Sequence, residues 1–351
     1  HSMRIPRPDL TLSIGTPNAC NVCHSEQTAE WAARQVEQWY GDVSPGYQRY
    51  AEVFEDARAG LGSGDDLAAL VRDSSTPGIA RATALAQLVP YLSNRSVDVV
   101  KLGLVDGDPS VRVASLDALQ VTPLQLRVTL AFPLLQDPVR AVRIQAAQVL
   151  SAVPVGDLPA EQRKILDAAG AEYIAAQLAN AERPEAQTNL GNFHAARGDR
   201  QPALEAYRTA IELAPYYLPA YINQADFYRR LGQEPEALQL LQRAVELNPE
   251  NATAHHALGL SLVRLQRYQE ALPELGQAAE LDPDDPNMVY VYAVALNSLG
   301  KSREAIRRLQ AALPTHPNNR EILGALVSFS RDIGDNAAAR RYAEQLRALP
   351  P

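Results

Sequence analysis

Small and apolar residues recur every 34 positions over the second half of the chain, from Pro184 onwards. A small or modest residue holds one position of this frame, at Gly191, Ala225, Gly259, Ala293 and Val327. Alanine holds a later position, at Ala203, Ala237, Ala271, Ala305 and Ala339. Proline closes each of the first four units, at Pro215, Pro249, Pro283 and Pro317. Because proline stops a helix and small residues let two helices approach closely, the pattern predicts five helical hairpins.

This period and pattern resemble the tetratricopeptide repeat, with five units covering residues 184–351. Glycine marks the turn inside four units, with Gln266 as the exception in the third, at Gly198, Gly232, Gly300 and Gly334. A hairpin of this family cannot bury its own apolar face, so the units stack and form a concave groove. The resemblance therefore implies a peptide or protein partner in that groove.

In the family, the first helix of each unit lines the groove, which here implies Asn192, Asp226, Arg229, Arg230, His256, Arg264, Tyr290 and Arg331. The four arginines could take a carboxylate or an acidic peptide by bidentate pairing. The alternative is that they are solvated surface charges. Asn192 and Asn223 match the carboxylate-clamp subclass of the family, but Thr188 and Thr253 stand where its lysines would be. A clamp for chaperone tails is therefore not expected.

A second array with a shorter period lies upstream. A residue pair ending in arginine recurs every 31 residues, at Ala80-Arg81, Val111-Arg112 and Val142-Arg143. A leucine keeps the same step, at Leu88, Leu119 and Leu150. Helix starts are predicted where a capping residue precedes proline, at Thr76-Pro77, Asp108-Pro109 and Asp137-Pro138. The pattern resembles HEAT-type repeats in a short-period version and covers about residues 65–155.

The remaining segments show helical spacing without a repeat. The stretch from Leu158 to Ala181 predicts one or two connector helices, with an apolar stripe at Leu166, Ala169, Tyr173, Ile174 and Leu178. Nearer the N-terminus, one helix is predicted around Ala29, Ala32, Val36 and Trp39, and a second from Tyr47 to Ala59. Trp31 and Trp39 are interpreted as core residues rather than as the edge of a cofactor site.

The chain is therefore predicted to be all-α, with four segments in sequence. A short haem-binding arm and helices at residues 1–60 precede HEAT-like repeats at 61–157, connector helices at 158–183 and five tetratricopeptide repeats at 184–351. The last three segments together form an α-solenoid.

The reason for assigning haem is the pentapeptide Cys20-Asn-Val-Cys23-His24. Two thiols about one helical turn apart can form thioethers with the vinyl groups on one edge of a porphyrin, and the adjacent His24 then serves as proximal iron ligand. A zinc site would need four ligands, and these are the only two cysteines of the chain. A redox dithiol would be expected beside a βαβ pattern. The motif favours one covalent haem c, with iron bound by His24.

Composition and charge restrict the classes of binding partner. Hydrophobic residues make up 46% of the chain and charged residues 21%, as in ordinary folded proteins. The net charge of −8 argues against nucleic acid or an anionic membrane surface as the main partner. No apolar run reaches the roughly 18 residues that span a bilayer. Because covalent haem attachment implies export in bacteria, we expect a periplasmic or extracellular location and a signal upstream of His1.

The order of these elements resembles the C-terminal part of bacterial multihaem c-type cytochromes that carry tetratricopeptide repeats. The resemblance rests on the HSMRIPRPDL arm, the GTPNACNVCH segment, the tryptophan-containing helix and the two arrays. It implies that His1 is a distal haem ligand, either of this haem or of one whose cysteines lie outside the chain. Met3 is the local alternative. Arg4 and Arg7 either pair with haem propionates or are solvated.

Two functions remain open at this point. The first is an electron-transfer segment whose solenoid docks a redox partner protein or further haem domains upstream. The second is a non-redox interaction scaffold in which the cysteine motif is unloaded or binds another metal. An enzyme is not expected, because the chain shows no nucleophile-base pair, phosphate loop or paired carboxylates. His194, His255 and His316 are predicted to be structural.

Overall fold

The computed structural model describes residues 6–41, 50–59, 62, 64–92 and 97–349. Every regular element within these ranges is helical, which confirms the predicted all-α solenoid. The chain divides into two compact units, residues 1–176 and 177–351.

The first unit begins with short helices and continues as a stack of longer ones. Its helices are α1 Pro8–Ile14, α2 Ala19–Cys23, α3 Ala29–Tyr40, α4 Tyr50–Arg58, α5 Gly64–Arg72, α6 Gly78–Leu88, α7 Val97–Leu104, α8 Pro109–Ala118, α9 Leu124–Ala131, α10 Arg140–Val149 and α11 Ala160–Leu178. Single 3-10 turns follow at Val89–Tyr91, Leu119–Val121, Phe132–Gln136 and Val155–Asp157. The three leucines of the 31-residue step are fully buried, so the predicted register of this array is confirmed.

A ladder of partly buried ion pairs holds the array together. Each arginine of the 31-residue step forms an ion pair with an acidic residue of the next repeat. The pairs are Arg81–Asp106 (2.7 Å), Arg112–Asp137 (2.9 Å) and Arg143–Glu172 (2.9 Å). The same guanidinium also closes its own loop, since Arg112 Nη1 donates to the Asp106 carbonyl at 2.7 Å. The Asp137 carboxylate in addition accepts the Val139 amide at the start of α10. The predicted helix start at Asp137-Pro138 is wrong, because α10 begins at Arg140 behind Val139 and has no side-chain cap. Asp137 instead joins two neighbouring repeats of the array through its pair with Arg112.

The second unit consists of five helical hairpins. Its helices are α12 Pro184–Arg197, α13 Arg200–Leu213, α14 Leu218–Arg230, α15 Glu234–Leu247, α16 Ala252–Arg264, α17 Tyr268–Leu281, α18 Pro286–Ser298, α19 Ser302–Ala312, α20 Arg320–Asp332 and α21 Asn336–Ala348. The four turn glycines adopt positive φ, as the predicted turns require. Gln266 takes the same conformation with φ 60° in the third hairpin, where glycine is missing.

Close helix approach explains the small residues of the 34-residue frame. A Cβ added at Gly191 would lie 2.5 Å from the ring of Tyr207, which is fully buried. A Cβ at Gly259 would lie 2.6 Å from the Leu275 side chain. The two helices of a hairpin therefore touch at the glycine, and any larger residue would force them apart.

Some local predictions need correction. Trp39 was expected in a core, but it lies in the last turn of α3 with 64% of its surface exposed. The connector is one long helix, α11, and Leu178 at its end is 53% exposed although it was placed on the apolar stripe. The predicted start of the second N-terminal helix at Tyr47 lies outside the described residues. Within the described part, no helix is both long and apolar enough to cross a membrane.

Candidate functional site

The cysteine motif occupies a short helix whose start is capped. Asn18 precedes α2 and its side-chain oxygen accepts the Asn21 amide at 3.1 Å. The Asn18 amide group donates to the Thr11 hydroxyl at 2.9 Å, which ties α2 to α1. Cys20 and Cys23 therefore lie one turn apart on a helix that is held at its N-terminus.

The end of the motif is equally fixed. The His24 amide donates to the Cys20 carbonyl at 2.8 Å, and the His24 carbonyl accepts the Gln27 amide at 3.0 Å. Asn21, between the two cysteines, donates from Nδ2 to the Gln27 carbonyl at 2.7 Å. These bonds set the position of His24 relative to both cysteines without involving its ring.

The three donor side chains are accessible. Both thiols are free, with Cys20 half-buried and Cys23 exposed. The His24 imidazole is exposed and contacts the Trp31 ring at 5.1 Å between centroids, and it makes no hydrogen bond within the described part of the chain. Two free thiols and a free imidazole at this spacing fit a covalent haem. The described residues contain no cluster of three or more His, Cys, Asp or Glu side chains suited to a metal ion.

The helices around the motif also leave large apolar side chains in water. Leu12 of α1, Val22 of α2, and Trp39 and Tyr40 of α3 are 49%, 79%, 64% and 59% exposed. Apolar surface left uncovered in this way is typical of a binding region. It lies on the three helices that carry and support the two cysteines and His24.

The proposed arm is only partly described. His1, Met3 and Arg4 lie outside the described residues, so the distal-ligand prediction stays a prediction. Arg7 is neither a solvated charge nor free for a propionate in this arrangement, because its Nε donates to both carboxylate oxygens of Asp9, at 2.8 and 2.9 Å. The Arg7 guanidinium lowers the pKa of Asp9.

Three of the four arginines of the repeat groove already have carboxylate neighbours. Arg229 and Arg230 both pair with Asp226, at 2.9 and 3.2 Å, and Arg264 pairs with Glu234 at 3.0 Å. The three guanidiniums remain exposed by about two fifths, at 41%, 44% and 38% of the side chain. They are thus paired surface charges that keep unused N–H groups.

Two cavities open between successive first helices. The first, the apolar pocket, has a volume of about 260 Å³ between α16, α17 and α18, and its walls include Leu260, Val263, Leu275, Tyr290, Val291 and Val294. The second, the polar pocket, has a volume of about 420 Å³ between α14 and α16, and its walls include Ile222, Asn223, Asp226, Arg229, Leu260 and Arg264. Leu260 lies in the wall of both.

The apolar pocket was not predicted, although the repeat frame contains a signal for it. In that frame Val291 takes the place that asparagine holds at Asn189 and Asn223 in the first two units. Val294 takes the place of Asn192 and Asp226 in the same way. The fourth unit therefore has apolar side chains at two positions where the first two units are polar.

The histidines behave largely as predicted. His255 is buried, with its Nδ1 2.6 Å from the Glu274 carboxylate and its Nε2 2.9 Å from the Pro249 carbonyl, which confirms a structural role. His256, the next residue of α16, is half-buried. Its Nδ1 is buried without a hydrogen-bond partner in the described chain, and burial lowers its pKa.

Models of the tetratricopeptide repeat match residues 184–217 and 214–347. Similar solved structures include MamA, 19% identical over 46% of this chain and 89% of that one, with a TM-score of 0.42. They also include MamA AMB-1 at 25% identity, 47% and 91% coverage and TM-score 0.40. YrrB, described as a tetratricopeptide-repeat protein with an unusual peptide-binding site, is 23% identical over 49% of this chain and 89% of its own, with a TM-score of 0.41.

No curated protein matched the chain. The two family models join without a gap and cover four of the hairpins completely and most of the fifth, α20 and α21. Residues 184–347 are therefore tetratricopeptide repeats.

Proposed function

We propose that this chain is a protein-docking scaffold that carries one covalently attached haem near its N-terminal end. The docking part is carried by one observation, the row of two solvent-open pockets between the first helices of units two to four. A solenoid that served only as a spacer would not be expected to have an open apolar cavity in its groove. Uncovered apolar surface of this kind marks a binding site. The partner is a peptide segment of another protein.

The docking proposal is tested with a displayed library of random peptides selected against the full chain. Selected peptides, made synthetically, are then added during hydrogen–deuterium exchange. Slower exchange in α14, α16 and α18 supports the proposal. Peptides that slow exchange only in second helices such as α15 and α19, or a library from which nothing is enriched, would refute it.

The haem part rests on a separate observation, the two free thiols and the free imidazole of Cys20, Cys23 and His24 at fixed spacing on α2. Both thiols would hold the porphyrin by thioethers, and His24 would be the proximal ligand. The haem would supply one-electron transfer, toward a redox partner protein or toward haem domains upstream. Export to the periplasm or the cell exterior belongs to this proposal, as does His1 as distal ligand.

A pyridine haemochrome spectrum and an intact mass of the full chain, produced with periplasmic haem-attachment machinery, test this part. We expect one covalent haem, and none when Cys20 and Cys23 are both replaced by Ser. Leu213→Arg, on α13 of the second unit, serves as a control that should load haem normally. A colourless wild-type protein from cells that load a reference c-type cytochrome would leave the scaffold function alone standing.

A further inference from the structure

The two pockets of the groove form one continuous surface. Leu260 belongs to the wall of each, so a bound chain that fills one pocket passes directly over the other. An extended peptide advances by about 3.3 Å per residue. Because the pockets share a wall residue, side chains placed in them come from residues close together along the bound segment.

The apolar pocket has the size of one large side chain. Its volume is about 260 Å³, whereas an apolar cavity of roughly 150 Å³ already holds a benzene molecule. Tyr290, Val291 and Val294 at its rim are only half-buried, so their apolar surface is open to an incoming group. Leucine, methionine or phenylalanine fits such a site, and a charged side chain does not.

The polar pocket favours an anion. Arg229, Arg264 and Asp226 line it. Together with Arg230 and Glu234, which pair with these residues from outside the wall, they form a network of three guanidiniums and two carboxylates with an excess of one positive charge. Each guanidinium has five N–H groups and uses only part of them here. A carboxylate from a ligand would complete the charge balance by a bidentate bond.

A further polar group points to a peptide ligand rather than a free ion. The side chain of Asn223 lines the polar pocket and makes no hydrogen bond within the described residues. A primary amide offers a donor and an acceptor together, as a peptide group requires. The pocket therefore provides for a backbone amide beside a carboxylate.

We propose that the groove recognises a segment of a partner protein in which a bulky apolar residue stands close in sequence to an Asp or Glu. The apolar side chain enters the apolar pocket, and the carboxylate meets Arg229 and Arg264. This inference rests on the docking function proposed above and specifies its ligand.

The test uses the peptide of highest affinity from the selection, labelled with fluorescein, and measures its dissociation constant for the full chain by fluorescence anisotropy. Val294→Arg blocks the apolar pocket, and Val294→Thr places a hydroxyl in its wall with little change of shape. Arg229→Ala removes the excess positive charge while Asp226 keeps Arg230 as partner. Circular dichroism confirms that each variant is folded.

Matched controls lie on second helices. Arg243→Ala removes an exposed arginine that pairs with Glu246, and Leu213→Arg adds a charge at an exposed apolar position. We expect the Val294→Arg and Arg229→Ala variants to bind about tenfold more weakly or worse, a change of about 1.4 kcal/mol, and both controls to stay within about twofold. Replacing the acidic residue of the peptide by its amide should weaken binding to the wild type but not to Arg229→Ala.

The outcomes separate the two proposals. Peptides that protect the first helices but lack the apolar–acidic pair, or that ignore both variants, would show that the ligand class is wrong while the docking function holds. Failure to select any groove-binding peptide would remove both. Equal weakening by the control variants would also overturn the inference, because the effect would then not be local to the pockets.

Discussion

Replacing Arg112 by methionine should destabilise the first unit strongly. Arg112 donates to Asp137 from Nε at 2.9 Å and from Nη2 at 3.0 Å, and to the Asp106 and Gly107 carbonyls from Nη1. Methionine fills a similar volume but supplies no donor. All four hydrogen bonds are then lost at once.

The cost follows from what is left behind. Arg112 and Asp137 have side chains only 11% and 9% exposed, so water cannot replace the lost partner. The Asp137 carboxylate would keep the Val139 amide, at 2.8 Å, as its hydrogen-bond donor in the described chain. Removing one partner of a buried ion pair costs about 3–5 kcal/mol. For a unit of this size each kcal/mol lowers the melting temperature by about 2–4 °C.

Differential scanning calorimetry of the full chain measures this, because the transition of the first unit should move down while that of the second stays. Lys101→Met is the matched control. It removes the same charge from a pair with Asp98 in which both side chains are largely exposed, and should cost about 0–1 kcal/mol. If Arg112→Met cost no more than Lys101→Met, the ladder would not be a source of stability and the argument would be wrong.

Two further predictions concern the second unit. Gly191→Ala should destabilise it by about 1–3 kcal/mol, since the new methyl group would lie 2.5 Å from the buried Tyr207 ring. The control Gly324→Ala adds a methyl group with nothing within 4 Å and should stabilise the unit by about 0.5–1 kcal/mol. The urea midpoints of both variants measure these changes. Equal effects would contradict the packing argument. Burial lowers the pKa of His256 below the unfolded value of about 6.5, and Asp285 partly opposes this shift. Neutral His256 therefore contributes to the free energy of unfolding above that pH, and this contribution is lost as the pH falls. The free energy of unfolding in urea should drop less between about pH 7.5 and about pH 5.5 for His256→Gln than for the wild type, and equal drops would refute the lowered pKa.

Sequence periodicity predicted the architecture because the same spacing is repeated several times. Leu88, Leu119 and Leu150 are all fully buried, since each occupies the same place in its own unit. The arginines beside them kept the same 31-residue step, but their partners could not be identified. Asp137 was interpreted as a helix cap, and only the stacked helices bring it to Arg112 of the preceding unit.

The limits of sequence reasoning lie where no repeat supports it. Trp39 has the spacing of a core residue, yet it is exposed because α3 ends at Tyr40. The apolar pocket depends on the space left between α16, α17 and α18, which a pattern of residue types does not specify. The assignment of Cys20, Cys23 and His24 to a haem rests on their spacing and stays a prediction.

The ladder of arginine–carboxylate pairs affects the cooperativity of unfolding of the first unit. Each pair joins two neighbouring repeats of the 31-residue array, so its free energy couples one repeat to the next and does not belong to a single repeat. In a linear array, strong coupling of this kind suppresses fraying one hairpin at a time and favours unfolding as a single block. The ladder thereby links the helix pairs of the first unit, so that a destabilising change at one helix pair lowers the stability of its neighbours as well.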